Sequence, residues 1–144
     1  MERQTVILLV VALVAIIEPA AGKVYKECQL ATILQNHGFT KSLIPDWVCL
    51  IMSESSGNTA AKGGPNSNGS YDYGLFQVNS KYWCGLNGPA GDCNIACSKL
   101  LDDDVTDDIA CAKKIYQVHG FSAWYGWKNK CSGKTLAAIT PCSV

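Results

Sequence analysis

Eight cysteines constrain this chain more than any other feature, because their number is even and all of them lie between Cys28 and Cys142. In a short chain that enters an oxidising compartment, such a set indicates four disulfides. Spacing alone leaves about a hundred pairings open. The Cys93-x3-Cys97 spacing also occurs in half a zinc site, but no histidine lies near it, so we favour disulfides.

The first segment of the chain has the composition of an export signal. Arg3 precedes an apolar run from Val6 to Ile17, and small residues lead up to Gly22. The run is too short for a transmembrane helix, which needs about 20 residues. We therefore predict a signal peptide at residues 1–22 and one secreted, extracellular domain at residues 23–144.

The charge of the predicted domain excludes some classes of partner. Beyond residue 22 the chain has 11 Lys, no Arg and 10 acidic residues. A nearly neutral chain without guanidinium groups is a poor candidate for nucleic acid binding, and we expect no nucleic acid and no membrane partner. Five of the ten acidic residues lie between Asp102 and Asp108.

The order of predicted elements indicates an α+β fold. Helical periodicity covers residues 27–37, 42–57 and 105–118, with Pro45 suited to a first turn and Thr106 to an N-cap. Between them, residues 58–91 are rich in Gly, Asn and Ser, and Asn68-Gly69 predicts a hairpin turn. We expect a helical lobe and a small sheet lobe, with a ligand groove between them.

Two carboxylates lie in contrasting environments. Glu54 shares a helix face with Trp47 and Ile51 in the last helical turn. The apolar surroundings and the negative helix end both disfavour its charged form, so we predict a raised pKa for Glu54. Asp72 lies on a hairpin arm among Asn, Ser and Gln donors, which should keep it ionised. Glycoside hydrolysis requires such a pair.

A simpler interpretation of both residues stays open at this point. A Glu in a last helical turn is commonly a solvated surface residue, and an Asp near Asn-Gly is commonly a turn former. Aromatic residues flank Asp72. Such side chains line carbohydrate-binding grooves in many proteins, but they are also common in β-strands.

Several motifs together resemble the C-type lysozymes, most closely their insect branch. These are WVCLIMSES, NGSYDYGLFQVNSKYWCG, CNIACSKLL, CAKKIY and SAWYGWKNKC, and the similarity extends over residues 23–142. The resemblance implies a lysozyme fold and a monomeric hydrolase that cuts the β-1,4 linkage between N-acetylmuramic acid and N-acetylglucosamine in bacterial peptidoglycan, with retention and without a catalytic cofactor. Whether chitin oligomers are also cleaved, and whether the role is defence or digestion, stays open.

Site residues are carried over by motif. Glu54 corresponds to the general acid and Asp72 to the nucleophile or ion-pair stabiliser. Trp124 corresponds to the tryptophan that packs on the acid. Asn66 and Asn79 correspond to the amides that hydrogen-bond the aspartate. Three further residues correspond to positions that hold N-acetyl sugars: Gln77, Tyr82 and Trp83. The implied disulfides are Cys28 to Cys142, Cys49 to Cys131, Cys84 to Cys97 and Cys93 to Cys111.

The acidic segment KLLDDDVTDDIAC, residues 99–111, resembles the calcium loop of α-lactalbumin and of calcium-binding lysozymes. Helix capping explains two or three of its five aspartates, but adjacent like charges repel unless a cation neutralises them. The resemblance implies a structural Ca²⁺. Its ligands would be the carboxylates of Asp102, Asp107 and Asp108 and the backbone carbonyls of Lys99 and Asp104.

The resemblance also leaves open an alternative function, and it does not account for a few residues of the chain. A non-catalytic binding or regulatory protein, as in α-lactalbumin, would share the scaffold, but such relatives typically lose one or both carboxylates. Tyr71 is bulkier than the residue common beside the aspartate, so the groove geometry is open at that point. Asn68 begins a glycosylation sequon in a turn that suits a glycan poorly. His37 and His119 are read as surface or helix-end residues.

Overall fold

A computed structural model gives the fold of the chain, and it describes residues 10–12 and 22–144. The predicted signal peptide, residues 1–22, lies outside the described residues except for 10–12 and Gly22. Within the described part of the chain, no helix is both long and apolar enough to cross a membrane.

Four α-helices form the larger lobe. They are α1 (Glu27–Asn36), α2 (Ile44–Ser55), α3 (Thr106–His119) and α4 (Tyr125–Lys130). Short 3-10 helices at Lys41–Leu43, Cys97–Leu101 and Gly120–Ala123 lead into or out of them. The first three α-helices lie where the apolar periodicity predicts them, because each must bury one apolar stripe against the others.

The start of α3 differs from the sequence-based prediction, whereas the end of α2 agrees with it. Thr106 is the first residue of α3 and not its cap, and its N–H donates to Asp104 Oδ1 at 3.1 Å. At the end of α2, Gly57 follows the C-cap residue Ser56 and has φ 77°, so a glycine lies just past the helix, where its conformational freedom is needed. The N-cap of α3 cannot be assigned from the sequence, because Asp104 and Thr106 both carry side-chain oxygens that could cap the helix.

A small antiparallel sheet forms the second lobe. Its strands are β1 (Lys62–Gly63), β2 (Asp72–Tyr73) and β3 (Val78–Asn79), in that order across the sheet. Asn68-Gly69 lies in the loop between β1 and β2, as the turn signal predicts. The register places Asp72 opposite Asn79 and Gly63. The predicted α+β organisation is therefore confirmed.

The core extends from the helical lobe to the sheet lobe. Leu50 and Ile51 of α2 are fully buried, and so is Phe76 in the turn between β2 and β3. Trp47 is the centre of an aromatic cluster whose other rings lie 4.9 to 6.0 Å from it, from Phe39, Phe76, Tyr116, Phe121 and Trp124. Because this cluster includes rings from both lobes, it packs the two lobes against each other.

Four disulfides cross-link the fold, and every cysteine of the described chain takes part in one. Their pairing agrees with the one that the resemblance implies: Cys28 with Cys142, Cys49 with Cys131, Cys84 with Cys97 and Cys93 with Cys111. A chain of this length gains stability from such bridges because they reduce the conformational freedom of the unfolded state.

Candidate active site

A groove with a cavity volume of about 420 Å³ lies between the two lobes. Seven of the eight predicted catalytic and substrate-binding residues line it, and they are Glu54, Asp72, Gln77, Asn79, Tyr82, Trp83 and Trp124. The eighth, Asn66, contacts Asp72 from outside the groove lining. The remaining wall comes from residues that the sequence does not single out as site residues: Asn68, Val78, Ile115, His119, Ala123 and Tyr125.

Glu54 lies half-buried in the last turn of α2 and faces this groove. Burial raises the pKa of its carboxyl group, and the negative charge of Asp72 raises it further. The N–H of Gly126, 2.9 Å from Glu54 Oε1, and the charge of Lys130 oppose the rise only in part. A Cβ atom at Gly126 would lie 2.7 Å from that oxygen, so the absence of a side chain allows this close approach.

Asp72 is held on both oxygens by amide groups. Asn79 Nδ2 donates to Oδ1 at 3.0 Å, and Asn66 Nδ2 donates to Oδ2 at 3.0 Å. Hydrogen bonds from N–H donors to a carboxylate stabilise its negative charge. The two carboxyl groups of the groove thus have opposite surroundings, since Glu54 is desolvated and Asp72 is surrounded by donors.

Ser70 completes this arrangement, although no sequence motif identifies it as a site residue. Its buried hydroxyl oxygen accepts from Asn66 Nδ2 at 3.0 Å and from Asn79 Nδ2 at 2.9 Å, and its hydroxyl donates to Asn68 Oδ1 at 2.5 Å. Both amides are therefore oriented by one oxygen. The signal in the sequence is the two-residue spacing between Ser70 and Asp72, which places both on one side of an extended segment.

Tyr71 lies away from the groove, which settles the question raised by its size. It is not among the groove residues, and its ring lies 4.7 Å from Lys62 Nζ, which is also 5.4 Å from the ring of Tyr73. Residues 71 and 73 flank Asp72 on the strand, so their side chains point to the opposite face of the sheet. Tyr71 is thus half-buried beside Lys62 and does not line the groove.

Two predicted groove residues also bind the backbone. The buried Trp124 donates from Nε1 to the carbonyl of Phe76 at 2.8 Å, which links the segment before α4 to the sheet lobe. Gln77 uses its amide nitrogen to bind the carbonyls of Ala61 and Gly74, both at 3.0 Å. Its carbonyl oxygen remains as the acceptor that a ligand could use.

Aromatic and imidazole groups form the part of the groove wall around Trp83. Tyr82 is 58% exposed and Trp83 only 8%. His119, the last residue of α3, packs edge-on against Trp83 with ring centroids 5.9 Å apart. The helix-end assignment of His119 is correct, but its place in the groove depends on tertiary packing and has no local signal.

The acidic segment is only partly assembled into a site. Lys99, Asp102, Asp104 and Asp107 line a surface depression beside the Cys93–Cys111 disulfide, whereas Asp108 does not. Two of the carboxylates bind backbone N–H groups two residues ahead, Asp102 that of Asp104 and Asp104 that of Thr106. Over residues 10–12 and 22–144, no three His, Cys, Asp or Glu side chains are grouped so that they could hold a metal ion.

Asp108 is nevertheless unusual within this segment. Its side chain is 1% exposed, and neither carboxyl oxygen has a hydrogen-bond partner. Burial raises the pKa of Asp108 to about 8, helped by the charges of Asp102 and Asp107, while the nearby N–H groups of Leu75 and Asp108 itself lower it. Those N–H groups lie close to the carboxyl without making well-aligned bonds, so it is a buried acid without a satisfied partner.

Comparison with known proteins agrees with this architecture. A model of the C-type lysozyme/alpha-lactalbumin family matches residues 23–142. Lysozyme c-1 of Anopheles gambiae is 51% identical over 138 residues, which are 96% of each chain. The lysozyme of Galleria mellonella is 52% identical over 121 residues, or 83% of this chain and 100% of that one. A calcium-binding lysozyme from equine milk has a TM-score of 0.72 and 43% identity, over 78% of this chain and 92% of that structure.

These matches extend over most of the chain, and two of them are to insect proteins at about half identity. They confirm the resemblance identified from the sequence motifs and the lysozyme fold expected from it. The chain belongs to the C-type lysozyme/alpha-lactalbumin family.

Proposed function

We propose that this protein is a secreted, monomeric muramidase that hydrolyses the β-1,4 linkage between N-acetylmuramic acid and N-acetylglucosamine in bacterial peptidoglycan. One observation carries the proposal: Glu54 and Asp72 line a single groove, one desolvated and the other surrounded by amide donors. Lysozymes are the type case of this division of labour, and the two roles are carried over from them. The presence of both carboxylates argues against a non-catalytic role.

Glu54 acts as the general acid in the first step. Its protonated carboxyl donates a proton to the glycosidic oxygen, and the bond to the leaving sugar breaks. Asp72 attacks the anomeric carbon from the opposite face and forms a covalent glycosyl ester. The Glu54 carboxylate then removes a proton from water, which attacks the ester and releases the sugar with retained configuration and a free Asp72.

The neighbouring residues hold the substrate and the carboxylates in place. Asn66 and Asn79 orient Asp72 and stabilise its charge. Tyr82 and Trp83 provide aromatic faces for N-acetyl sugar rings, and Gln77 provides an acceptor. Trp124 forms part of the groove wall shared with Glu54 and helps to exclude water from it.

The proposal includes calcium binding by the acidic segment, in a structural role. The donors would be the carboxylates of Asp102, Asp107 and Asp108 and the carbonyls of Lys99 and Asp104, all oxygen ligands of the type that Ca²⁺ prefers. The buried carboxyl of Asp108, which has no hydrogen-bond partner, fits this role because a cation would neutralise it. The equine milk relative is described as calcium-binding. When bound, the ion supplies positive charge to the cluster and takes no part in hydrolysis.

Clearing of bacterial cell walls by Glu54→Gln tests the proposed activity. We expect the rate to fall by about 10³-fold, because the amide cannot protonate the leaving oxygen. Glu27→Gln is the matched control, since Glu27 is an exposed acid in the first turn of α1 and should leave the rate unchanged. Proton NMR of the first anomer released from a soluble oligosaccharide tests retention. Wall clearing by Glu54→Gln at the wild-type rate would refute the mechanism.

A further inference from the structure

Two exposed lysines lie over tyrosine rings in the sheet lobe, one beside the groove and one away from it. Lys81 Nζ is 5.2 Å from the ring centroid of Tyr82, which lines the groove and is 58% exposed. Lys62 Nζ is 4.7 Å and 5.4 Å from the rings of Tyr71 and Tyr73, both outside the groove lining. Of these two ammonium groups, that of Lys81 is therefore the one next to the proposed substrate surface.

The backbone of Lys81 is anchored to the residue that orients Asp72. The N–H of Lys81 donates to Asn79 Oδ1 at 2.9 Å, while Asn79 Nδ2 donates to Asp72 Oδ1 at 3.0 Å. The N–H of Trp83 donates to the carbonyl of the same Asn79 at 3.2 Å. The turn that carries Lys81 and Tyr82 is thus fixed relative to Asp72, and the ammonium group moves only within the reach of its own side chain.

The charges in and around the groove are unevenly distributed. Glu54 and Asp72 both line it, and among its described lining residues none is a lysine or an arginine. A negative group on a ligand is therefore repelled by the carboxylate of Asp72 and attracted at the border beside Tyr82, where Lys81 lies. Such a charge distribution selects between ligands that differ in charge but share the same sugar ring.

The two sugars of peptidoglycan differ in just such a charge. N-acetylmuramic acid is N-acetylglucosamine with a lactyl ether, whose carboxylate lies three bonds from the sugar ring. Chitin consists of N-acetylglucosamine alone and has no carboxylate. A muramyl residue held against the ring of Tyr82 brings its carboxylate towards the ammonium group of Lys81. Because an ammonium group is a point charge on a flexible stem, it can pair with a carboxylate without a fixed mutual orientation.

We propose that Lys81 binds the lactyl carboxylate of an N-acetylmuramic acid residue held beside Tyr82, and that this contact favours peptidoglycan over chitin. The proposal rests on the proposed function, since it takes the groove between the lobes as the substrate site. The contact is a non-covalent ion pair, and no bond of the ligand changes. Because Lys81 is exposed, the pair contributes a few-fold to affinity and not several orders of magnitude.

Calorimetric titration of the Glu54→Gln variant tests this recognition without turnover. The ligands are three tetrasaccharides: alternating N-acetylglucosamine and N-acetylmuramic acid, the same chain with its carboxylates reduced to alcohols, and a chitin tetramer. Adding Lys81→Met removes the charge and keeps an unbranched side chain. We expect it to raise the Kd of the first ligand about threefold and to leave the other two Kd values unchanged. Titration at about pH 8, where an ordinary imidazole is uncharged, keeps His119 from supplying the positive charge.

Lys62→Met is the matched control, because it removes an ammonium group from tyrosine rings outside the groove lining and should change none of the three Kd values. Salt at about 0.5 M should abolish the effect of Lys81→Met, since exposed charges are then screened.

Equal weakening of all three ligands by Lys81→Met would indicate lost packing at Tyr82 and would overturn the proposal. An unchanged Kd for the carboxylate ligand, or no preference of the Lys81 chain for that ligand over its reduced form, would overturn it as well. Wall clearing by the wild type is measured separately and tests the proposed hydrolase. Its failure would refute the hydrolase, while the three Kd values would still decide whether Lys81 recognises the carboxylate.

Discussion

The side-chain amide of Asn79 lies 3.0 Å from Asp72 Oδ1, across the β2–β3 pair where the register sets the two residues directly opposite. Asn66 makes the equivalent bond to the other oxygen, and the hydroxyl of Ser70 accepts from both amides. In each of the two Asn side chains the nitrogen donates and the oxygen accepts. Because the hydroxyl oxygen of Ser70 accepts from both nitrogens, it keeps both of them turned towards Asp72. The carboxylate is therefore positioned by a network and not by one bond.

Ser70→Ala should slow catalysis without weakening substrate binding. Loss of the hydroxyl frees both amides to rotate, and we expect kcat to fall about tenfold with KM unchanged, which corresponds to about 1.4 kcal/mol of lost transition-state stabilisation. Steady-state kinetics on a soluble oligosaccharide measures the split. Ser67→Ala, in the exposed part of the same hairpin loop, is the control. A rise in KM with an unchanged kcat would contradict the positioning role.

The pKa of Glu54 links pH, activity and stability. Since burial and Asp72 raise this pKa above that of an ordinary glutamate, Glu54 should stay protonated at pH values where an ordinary glutamate is ionised, and activity should fall as pH rises through the raised pKa. Asp72→Asn removes one of the causes, so NMR titration should give a lower pKa for Glu54 in that variant. An unchanged pKa would show that Asp72 exerts no electrostatic effect on Glu54.

The same shift predicts how stability depends on pH. A folded-state pKa above the unfolded value contributes stability that is fully present below about pH 4 and is lost as pH rises through the folded pKa. Glu54→Gln has no charge to bury, so its Tm should increasingly exceed that of the wild type across this window. Calorimetry at several pH values measures the difference, and a constant difference would contradict the assignment.

His119→Ala should weaken substrate binding. Its imidazole lines the groove beside Trp83 and can exchange a hydrogen bond with a sugar hydroxyl, so we expect KM to rise about fivefold, the equivalent of one hydrogen bond, with little change in kcat. His37→Ala is the control, because His37 binds the Ile33 carbonyl at the end of α1, outside the groove lining. A similar rise in KM in both variants would indicate a general effect and not a contact with substrate.

Calcium should stabilise the folded protein. At about 100 times the dissociation constant, a ligand that binds only the folded state adds about 2.7 kcal/mol, or roughly 5 to 10 °C in Tm. Chelator should reverse this shift, and Asp107→Asn should abolish it. Asp104→Asn should retain it, because Asp104 is proposed to contribute its backbone carbonyl. A Tm that does not respond to chelator in the wild type would exclude the site.

Local chemistry was sufficient to predict much of this molecule. Apolar periodicity and the residues Pro45 and Gly57 indicate α2, and Asn68-Gly69 indicates the hairpin. Glu54 follows as a desolvated acid because its neighbours in the helix are apolar, and the motif resemblance adds the residues of the groove. Each of these signals depends on residues a few positions apart, whose geometry is set by the helix or strand they occupy.

Other features appear only when distant segments pack together. The sequence by itself determined the cysteine set, the helical and hairpin elements, the family and the two carboxylates. The tertiary structure decided that Ser70 orients the amides at Asp72, that His119 reaches Trp83, and that Tyr71 lies outside the groove. The physical reason is that contacts between remote residues depend on how the lobes and loops pack, and no local pattern encodes those distances.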